Sequence, residues 1–302
     1  MRRIKNKNPI YIKKCMSIYR KILEEIDSIV IIDVNVKDIC ESIEEIIINE
    51  GYDVAFPVNV SINEIAAHST ASFREHRTVA EDDLVKIDFG YITETGIVDN
   101  AISINLSGKH KELIEATKES VDKAIAMIKP DVTIDEVSGL IQDHLSNRGF
   151  KPISNLTGHR ISEHIIHDEP SVPAVRDGNQ YRFKVGDRFA IEVFATYPDG
   201  SGEVVDTKRI EIFSLIDFNK SRVPRSSLRV YEHILNNYRA LPFAKRWLAS
   251  VFGETVTNMS LRELYLNDFL DVYPELKERN GKVVAQYERT ILVEENGAKV
   301  LE

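Results

Sequence analysis

Four acidic residues stand where a folded chain does not ordinarily tolerate them. Asp88, Asp99, Glu192 and Glu288 each interrupt a run that otherwise reads as a buried strand: VKIDFGYI, GIVDNAI, FAIEVFA and AQYERTILV. A carboxylate taken out of water needs a partner, or it protonates. For a single such acid, an ion pair or a strand end at the surface is the commoner explanation. Four would require four buried basic partners, and these segments offer few. If the four converge, each pair at about 5 Å repels by roughly 3 kcal/mol at an effective dielectric near 20. Two divalent cations carry enough positive charge to neutralise such a cluster, so the chemistry these residues point to is that of a carboxylate-rich metal centre.

The stretch KIDFGYITETGIVDN, Lys86 to Asn100, reads as a hairpin with apolar arms and a polar Thr-Glu-Thr-Gly tip. With the turn centred on Thr93 and Glu94, Asp88 and Asp99 would face each other directly, a placement that destabilises a sheet unless something neutralises it. One imidazole would complete a dinuclear carboxylate–histidine site. The candidate is His159 in NLTGHRISEHIIH. His167 stands eight positions on, so alternation along one extended strand would put both rings on one face, with His164 on the other.

Around these residues the chain falls into recognisable elements. IYIKKCMSIYRKILEEI and VKDICESIEEIIINEG have helical apolar spacing, Pro9 suits a helix start, and Gly51 suits a stop. DVAFPVNVSI is strand-like, and NEIAAHS reads as a short helical segment ending on His68. HKELIEATKESVDKAIAMI and TIDEVSGLIQDHLSNRG are two more amphipathic helices, followed by a mostly extended region through GEVVDTKRIEIF. DDLVKIDFG and VGDRFAIEVF share a layout, an Asp followed after four residues by an acid: Asp83 with Asp88, and Asp187 with Glu192. That repeat suggests two related halves. From Ser214 to Pro274 the texture is helical and lacks the buried-acid signal, which returns in KVVAQYERTILVEENG. The expectation is an α+β catalytic domain of residues 1–213 plus 275–302, interrupted by a helical insert, 214–274.

Composition narrows the function classes. With 302 residues the chain can bury a sizeable core, and 43% hydrophobic with 29% charged residues is ordinary for a soluble globular protein. A net charge of −9 argues against nucleic-acid binding as the main activity. Two cysteines, Cys15 and Cys40, build no thiolate metal framework and fit a reducing compartment. No apolar run approaches a membrane span, and the charged N-terminus lacks a signal core, so the expected location is the cytoplasm.

Over nearly its whole length the chain resembles the type 2 methionine aminopeptidases, especially their shorter archaeal form. AFPVNVSINEIAAHS, VKIDFGYITETGIVDNA, GHRISEHIIH, FAIEVFA, LPFAKRWL and AQYERTILV carry the resemblance, all in family order. The spacing from Asp88 to Asp99 is shared by the wider pita-bread (creatinase/aminopeptidase) superfamily, including prolidases. The 96 positions between Glu192 and Glu288 accommodate the inserted, winged-helix-like helical subdomain that marks type 2.

The resemblance implies two pseudo-twofold halves around two divalent ions. Asp88 would chelate one ion, His159 and Glu192 would bind the other, and Asp99 with Glu288 would bridge them. It implies Glu192 as general base beside the attacking water, and His68 and His167 as substrate contacts that stabilise the tetrahedral intermediate. Phe56 and Ile166 would line an apolar methionine slot, although a Phe in a strand is more commonly plain core. The implied reaction removes the initiator methionine from nascent chains, preferably before a small second residue. Carboxylates with one imidazole and no thiolate suit Mn²⁺, Fe²⁺ or Co²⁺, with Zn²⁺ also compatible. Departures from the family are Ser69 and Ala71, where tyrosine and proline are usual, His164 in place of an aromatic, and Arg289 in place of histidine. They bear on specificity and remove no ligand. Two alternatives stand beside this reading: a proline-specific aminopeptidase or dipeptidase, and a non-catalytic pita-bread protein associated with ribosome or RNA. All five ligands are present, which argues against the second, and the insert argues against the first. The basic segments RIKNKNPIYIKK and KSRVPRSSLR allow a transient ribosome contact, but solvated helix faces are the commoner fate of such runs. No membrane partner is expected, and the chain is large enough to act as a monomer.

Overall fold

The computed structural model describes residues 9–163 and 165–301, with side chains from Ile18 onward. The basic N-terminal side chains, the Cys15 side chain and His164 lie outside the described residues. Two helices open the chain, α1 (Pro9–Ile29) and α2 (Val36–Asn49), followed by β1 (Asp53–Ile62), β2 (Ile65–Ala67), β3 (Leu84–Thr93) and β4 (Gly96–Asn105). Next come α3 (Lys111–Met127), α4 (Ile134–Asn147), β5 (Lys151–Pro152), β6 (Thr157–Ser162), β7 (Ile165–Pro173), β8 (Arg188–Thr196) and β9 (Val204–Leu215). The last third holds α5 (Leu228–Asn237), β10 (Phe243–Ala244), α6 (Lys245–Phe252), α7 (Glu254–Leu266), β11 (Leu270–Glu278), β12 (Val284–Glu294) and β13 (Gly297–Leu301).

The main sheet runs β1-β3-β4-β12-β8-β6-β7, with β13 beside β12 and β5 beside β8. Its centre lies between β4 and β12, and the order outward is mirrored: β3 corresponds to β8, and β1 to β6. Local chemistry repeats with it. Asn35 caps α2 and bridges Thr78, while Thr133 caps α4 and bridges Arg182. Five residues after each bridge an aspartate accepts a backbone N–H three positions back, Asp83 from Ala80 at 2.8 Å and Asp187 from Lys184 at 2.9 Å. Each then opens a strand carrying an acid, Asp88 or Glu192. The repeated layout in the sequence is therefore the signature of a pseudo-twofold pita-bread fold.

The apolar faces of α1 to α4 pack with one face of this sheet in a single large cluster, from Ile18 and Ile43 through Phe89 and Leu145 to Ile291. Residues Phe213 to Leu270 build a second cluster around Tyr231, Phe243, Leu248 and Phe269. Here the helical expectation needs correcting at its margins. Strand character resumes at Leu270 because β11 pairs with β9 from Leu270↔Leu215 to Glu278↔Val204, in a second sheet ordered β10-β9-β11-β2. A buried ion pair ties α6 to α2: Arg246 meets Glu44, Trp247 Nε1 donates to Glu44 Oε2 at 3.1 Å, and Arg246 Nη1 donates to Thr70 Oγ1 at 2.7 Å.

Candidate metal centre

The four acids meet at the middle of the main sheet, on the face away from the helices. Register decides how. The hairpin turn lies at Glu94 and Thr95, where the Thr93 hydroxyl donates to Gly96 O at 2.7 Å and accepts from Thr95 N at 3.2 Å. Asp88 therefore pairs with Ala101, and Asp99 with Gly90. The direct opposition expected from a turn one residue earlier does not occur. The two aspartates are diagonal neighbours on one face, which a shift of the turn centre by one residue preserves. Direct opposition falls instead to Glu192 and Glu288, facing each other across β8 and β12. Since Ala101 also pairs with Glu288, one row across four strands reads Asp88, Ala101, Glu288, Glu192.

His159 enters from β6, its Nε2 3.8 Å from both Asp99 Oδ2 and Glu288 Oε1. His167 does reach the same face, but not by alternation along one strand. The chain turns between β6 and β7, and the hairpin folds the rings together with centroids 4.5 Å apart. Ligand atoms of Asp99, His159 and Glu288 lie within 4.8 Å of one another, and so do those of Asp88, Glu192 and Glu288. Glu192 stands in the second of these groups, with Asp88 and Glu288. The Gln286 amide holds it there, donating to Glu192 Oε1 at 2.8 Å and, at 3.5 Å, to Asp88 Oδ2.

The electrostatics are those of a site built for cations. Burial pushes the Asp88 carboxyl up to about 7. Burial, and then the charges of their neighbours, hold Asp99, Glu192 and Glu288 well above the usual carboxylate range. Burial pushes the His159 imidazole down to about 3, leaving it a neutral nitrogen ligand at pH 7. Among the described residues, no Lys or Arg lines the cleft. Lys86, two residues along β3 from Asp88, spends its ammonium on the carbonyls of Asn63 and Val284, each at 2.9 Å. Asp88 Oδ1, Asp99 Oδ1 and Glu288 Oε1 are buried acceptors with no hydrogen-bond donor among the described residues. Acceptors left so are costly, and hard divalent ions with oxygen and imidazole ligands would satisfy them. The residues present fit such ions.

A cleft of about 320 Å³ opens over the acids, and Phe56, His68, Ile166 and His167 all line it. Phe56 and Ile166 pack with Ala55, Ile97, Ile161 and Ala190 as a small apolar cluster at one end. Gly90 makes room for this slot, since a Cβ there would stand 2.3 Å from Phe56 Cε1. His68 directly follows a strand, β2, rather than a helix. Its φ of 58° lies in the left-handed region and aims the ring into the cleft. The ring is held by Pro274 O, 3.3 Å from Nδ1, and by Tyr273, edge-on at 5.6 Å.

Sequence reasoning passed over Gln286 and Tyr273. Gln286 was within reach, standing two positions before Glu288 and hence on the same strand face. Tyr273 carried no signal, because its segment read as part of the helical insert. Among the departures, Ser69 donates to Glu275 Oε2 at 2.7 Å and accepts from Arg77 Nη1 at 2.8 Å, and Ala71 packs in the main core. Arg289 points to the opposite face from Glu288, its guanidinium 4.0 Å from the Tyr19 ring centroid. None of these three lines the cleft.

Comparison with known proteins agrees with this geometry. Residues 11–220 match metallopeptidase family M24. The methionine aminopeptidase of Thermococcus kodakarensis is 35% identical over 288 residues, covering 95% of this chain and 97% of that protein. Among solved structures, a thermophilic Arx1 superposes with a TM-score of 0.83 at 15% identity, over 97% of this chain and 89% of that one. A methionine aminopeptidase from Thermotoga maritima gives 0.68 at 21% identity, over 99% of each chain. Those two likenesses show the fold alone. The family match and the full-length identity to an archaeal enzyme go further: the chain belongs to metallopeptidase family M24, among its methionine aminopeptidases.

Proposed function

We propose that the chain removes the initiator methionine from nascent polypeptides with a small second residue, using two divalent ions held by Asp88, Asp99, His159, Glu192 and Glu288. The observation that carries this reading is the pair of ligand triads sharing Glu288 on the floor of a cleft with an apolar end. Mn²⁺, Fe²⁺ or Co²⁺ suits the donor set, and Zn²⁺ also accepts it. When bound, such ions supply a Lewis acid for the scissile carbonyl and lower the pKa of the attacking water.

The chain's own groups do the rest. Phe56 and Ile166 clasp the methionine side chain. Gln286 engages Glu192 Oε1, which leaves Oε2 to take the proton of the attacking water and return it to the leaving amine. The Pro274 carbonyl can only accept, so His68 Nδ1 carries the ring proton and Nε2 faces the substrate as an acceptor for a peptide N–H. Burial lowers the His68 pKa and keeps it neutral near pH 7. His167, exposed to the cleft, is left as donor to the oxygen that gains negative charge. Residues 214–274 act as an insert in a catalytic domain of 1–213 and 275–302. Their separate apolar cluster supports this, as do Pro242 and Tyr273, which they contribute to the cleft wall.

The test is methionine release from Met-Ala-Ser, measured with chelator and after adding Mn²⁺ or Co²⁺, beside a Xaa-Pro series. Release that stops with chelator, returns with the ion and ignores Xaa-Pro supports the reading. No ion-restored release of methionine overturns it.

A further inference from the structure

The cleft carries two acids that the metal centre does not use. Asp168 and Glu169 both line it, next along β7 after Ile166 and His167. The order along the strand is informative. Ile166 belongs to the methionine slot, His167 stands at the scissile bond, and Asp168, Glu169 and Ser171 follow on the cleft wall. A strand and an extended peptide both advance about 3.3 Å per residue, so these residues accompany the substrate beyond its second position.

Their charges are left for the substrate. Glu169 is exposed, its Oε2 accepts from Ser171 N at 3.1 Å, and no cation pairs with it among the described residues. Asp168 is fixed by the Ser162 hydroxyl and, at 2.9 Å, by Glu169 N. Arg160 acts on Asp168 electrostatically but does not line the cleft, and its guanidinium reaches Asp187 at 3.9 Å. Ions would balance the four inner carboxylates, two of which, Asp99 and Glu288, are buried and keep in this same cleft an oxygen with no partner among the described residues. The net charge remaining on the wall is then that of the two outer acids.

Resting on the aminopeptidase reading above, we propose that Asp168 and Glu169 form an acidic rim that selects nascent N-termini bearing Lys or Arg at the third or fourth position over those bearing Asp or Glu. Two unit charges about 7 Å apart in a water-like dielectric change affinity about threefold, so replacing attraction by repulsion gives about sevenfold for each acid and about fiftyfold for the two together. The effect is exposed to solvent and therefore screened by salt.

The experiment compares kcat/KM for Met-Ala-Lys, Met-Ala-Ser and Met-Ala-Asp amides with the Mn²⁺-loaded protein at low and high salt. The expected Lys:Asp ratio is about fifty at low salt and near one at high salt. Glu169→Gln, a change at an exposed side chain, should cut the ratio about sevenfold, and adding Asp168→Asn should bring it close to one. Cleavage of all three amides at equal rates overturns the rim and leaves the aminopeptidase reading standing. A ratio that ignores salt or survives both substitutions also overturns the rim. No methionine release from any amide overturns the aminopeptidase reading and the rim with it.

Discussion

Replacing Asp88 with Asn should stabilise the ion-free protein and destabilise the loaded one. Burial raises the Asp88 carboxyl from an ordinary 3.8 to about 7, some three pH units. At about 1.4 kcal/mol per unit, its charged form costs the folded state roughly 4 kcal/mol at pH 8. The sign follows from linkage. The folded state binds this proton more tightly than the unfolded chain, so the cost is fully present above about 7 and is relieved as pH falls through that value towards 3.8. At pH 5 roughly 2 kcal/mol remains. The histidines whose pKa values burial lowers titrate in both proteins alike, and their contribution drops out of the comparison. After dialysis against chelator at pH 8, Asp88→Asn should therefore melt higher, by about 8 °C at roughly 2 °C per kcal/mol for a chain of this size. At pH 5 the gain should halve. With Mn²⁺ in about 10,000-fold excess over its Kd, the parent protein gains about 5 kcal/mol per occupied site, more than the variant's lead of roughly 4 kcal/mol, so a variant that loses the site Asp88 serves falls behind and the order reverses. Thermal or urea melts read all three conditions. A variant destabilised to the same extent with and without ion would refute the claim that the acids are held together against their own repulsion.

Other expectations follow from neighbouring contacts. Gln286→Leu removes the amide that donates to Glu192 Oε1. It should lower kcat on Met-Ala-Ser about tenfold or more with little change in KM, and shift the acid limb of the kcat profile to higher pH, since the lost bond favoured the charged carboxylate. An unchanged profile would remove Gln286 from the mechanism. Glu44→Gln leaves the Arg246 guanidinium buried without its counter-ion and should cost about 3–5 kcal/mol in a urea melt. A loss under about 1 kcal/mol would show that this pair does not anchor α6 to α2.

Much of the site was legible in the order of residues, and the reason is parity. An acid inside an apolar run declares itself, and alternation puts Asp88 and Asp99 on one sheet face whichever of two turns the hairpin uses. The repeated Asp83–Asp88 and Asp187–Glu192 spacing was legible for a similar reason, because each strand begins with the same local hydrogen bond to the turn before it. Local pattern alone mistook NEIAAHS for a helix, since three residues of strand carry no period.

What the sequence by itself determined is which side chains face inward together: four carboxylates, an imidazole and an apolar slot, each signalled within a dozen residues. Tertiary structure decided who meets whom. Glu192 opposes Glu288, the β6–β7 turn rather than strand alternation joins His159 to His167, and Tyr273 reaches His68 from a segment some 200 positions away. Alternation is a property of one strand and can be read along it. Register, and closure of the second sheet over the first, depend on the balance of contacts across the whole fold, which no short stretch of chain encodes.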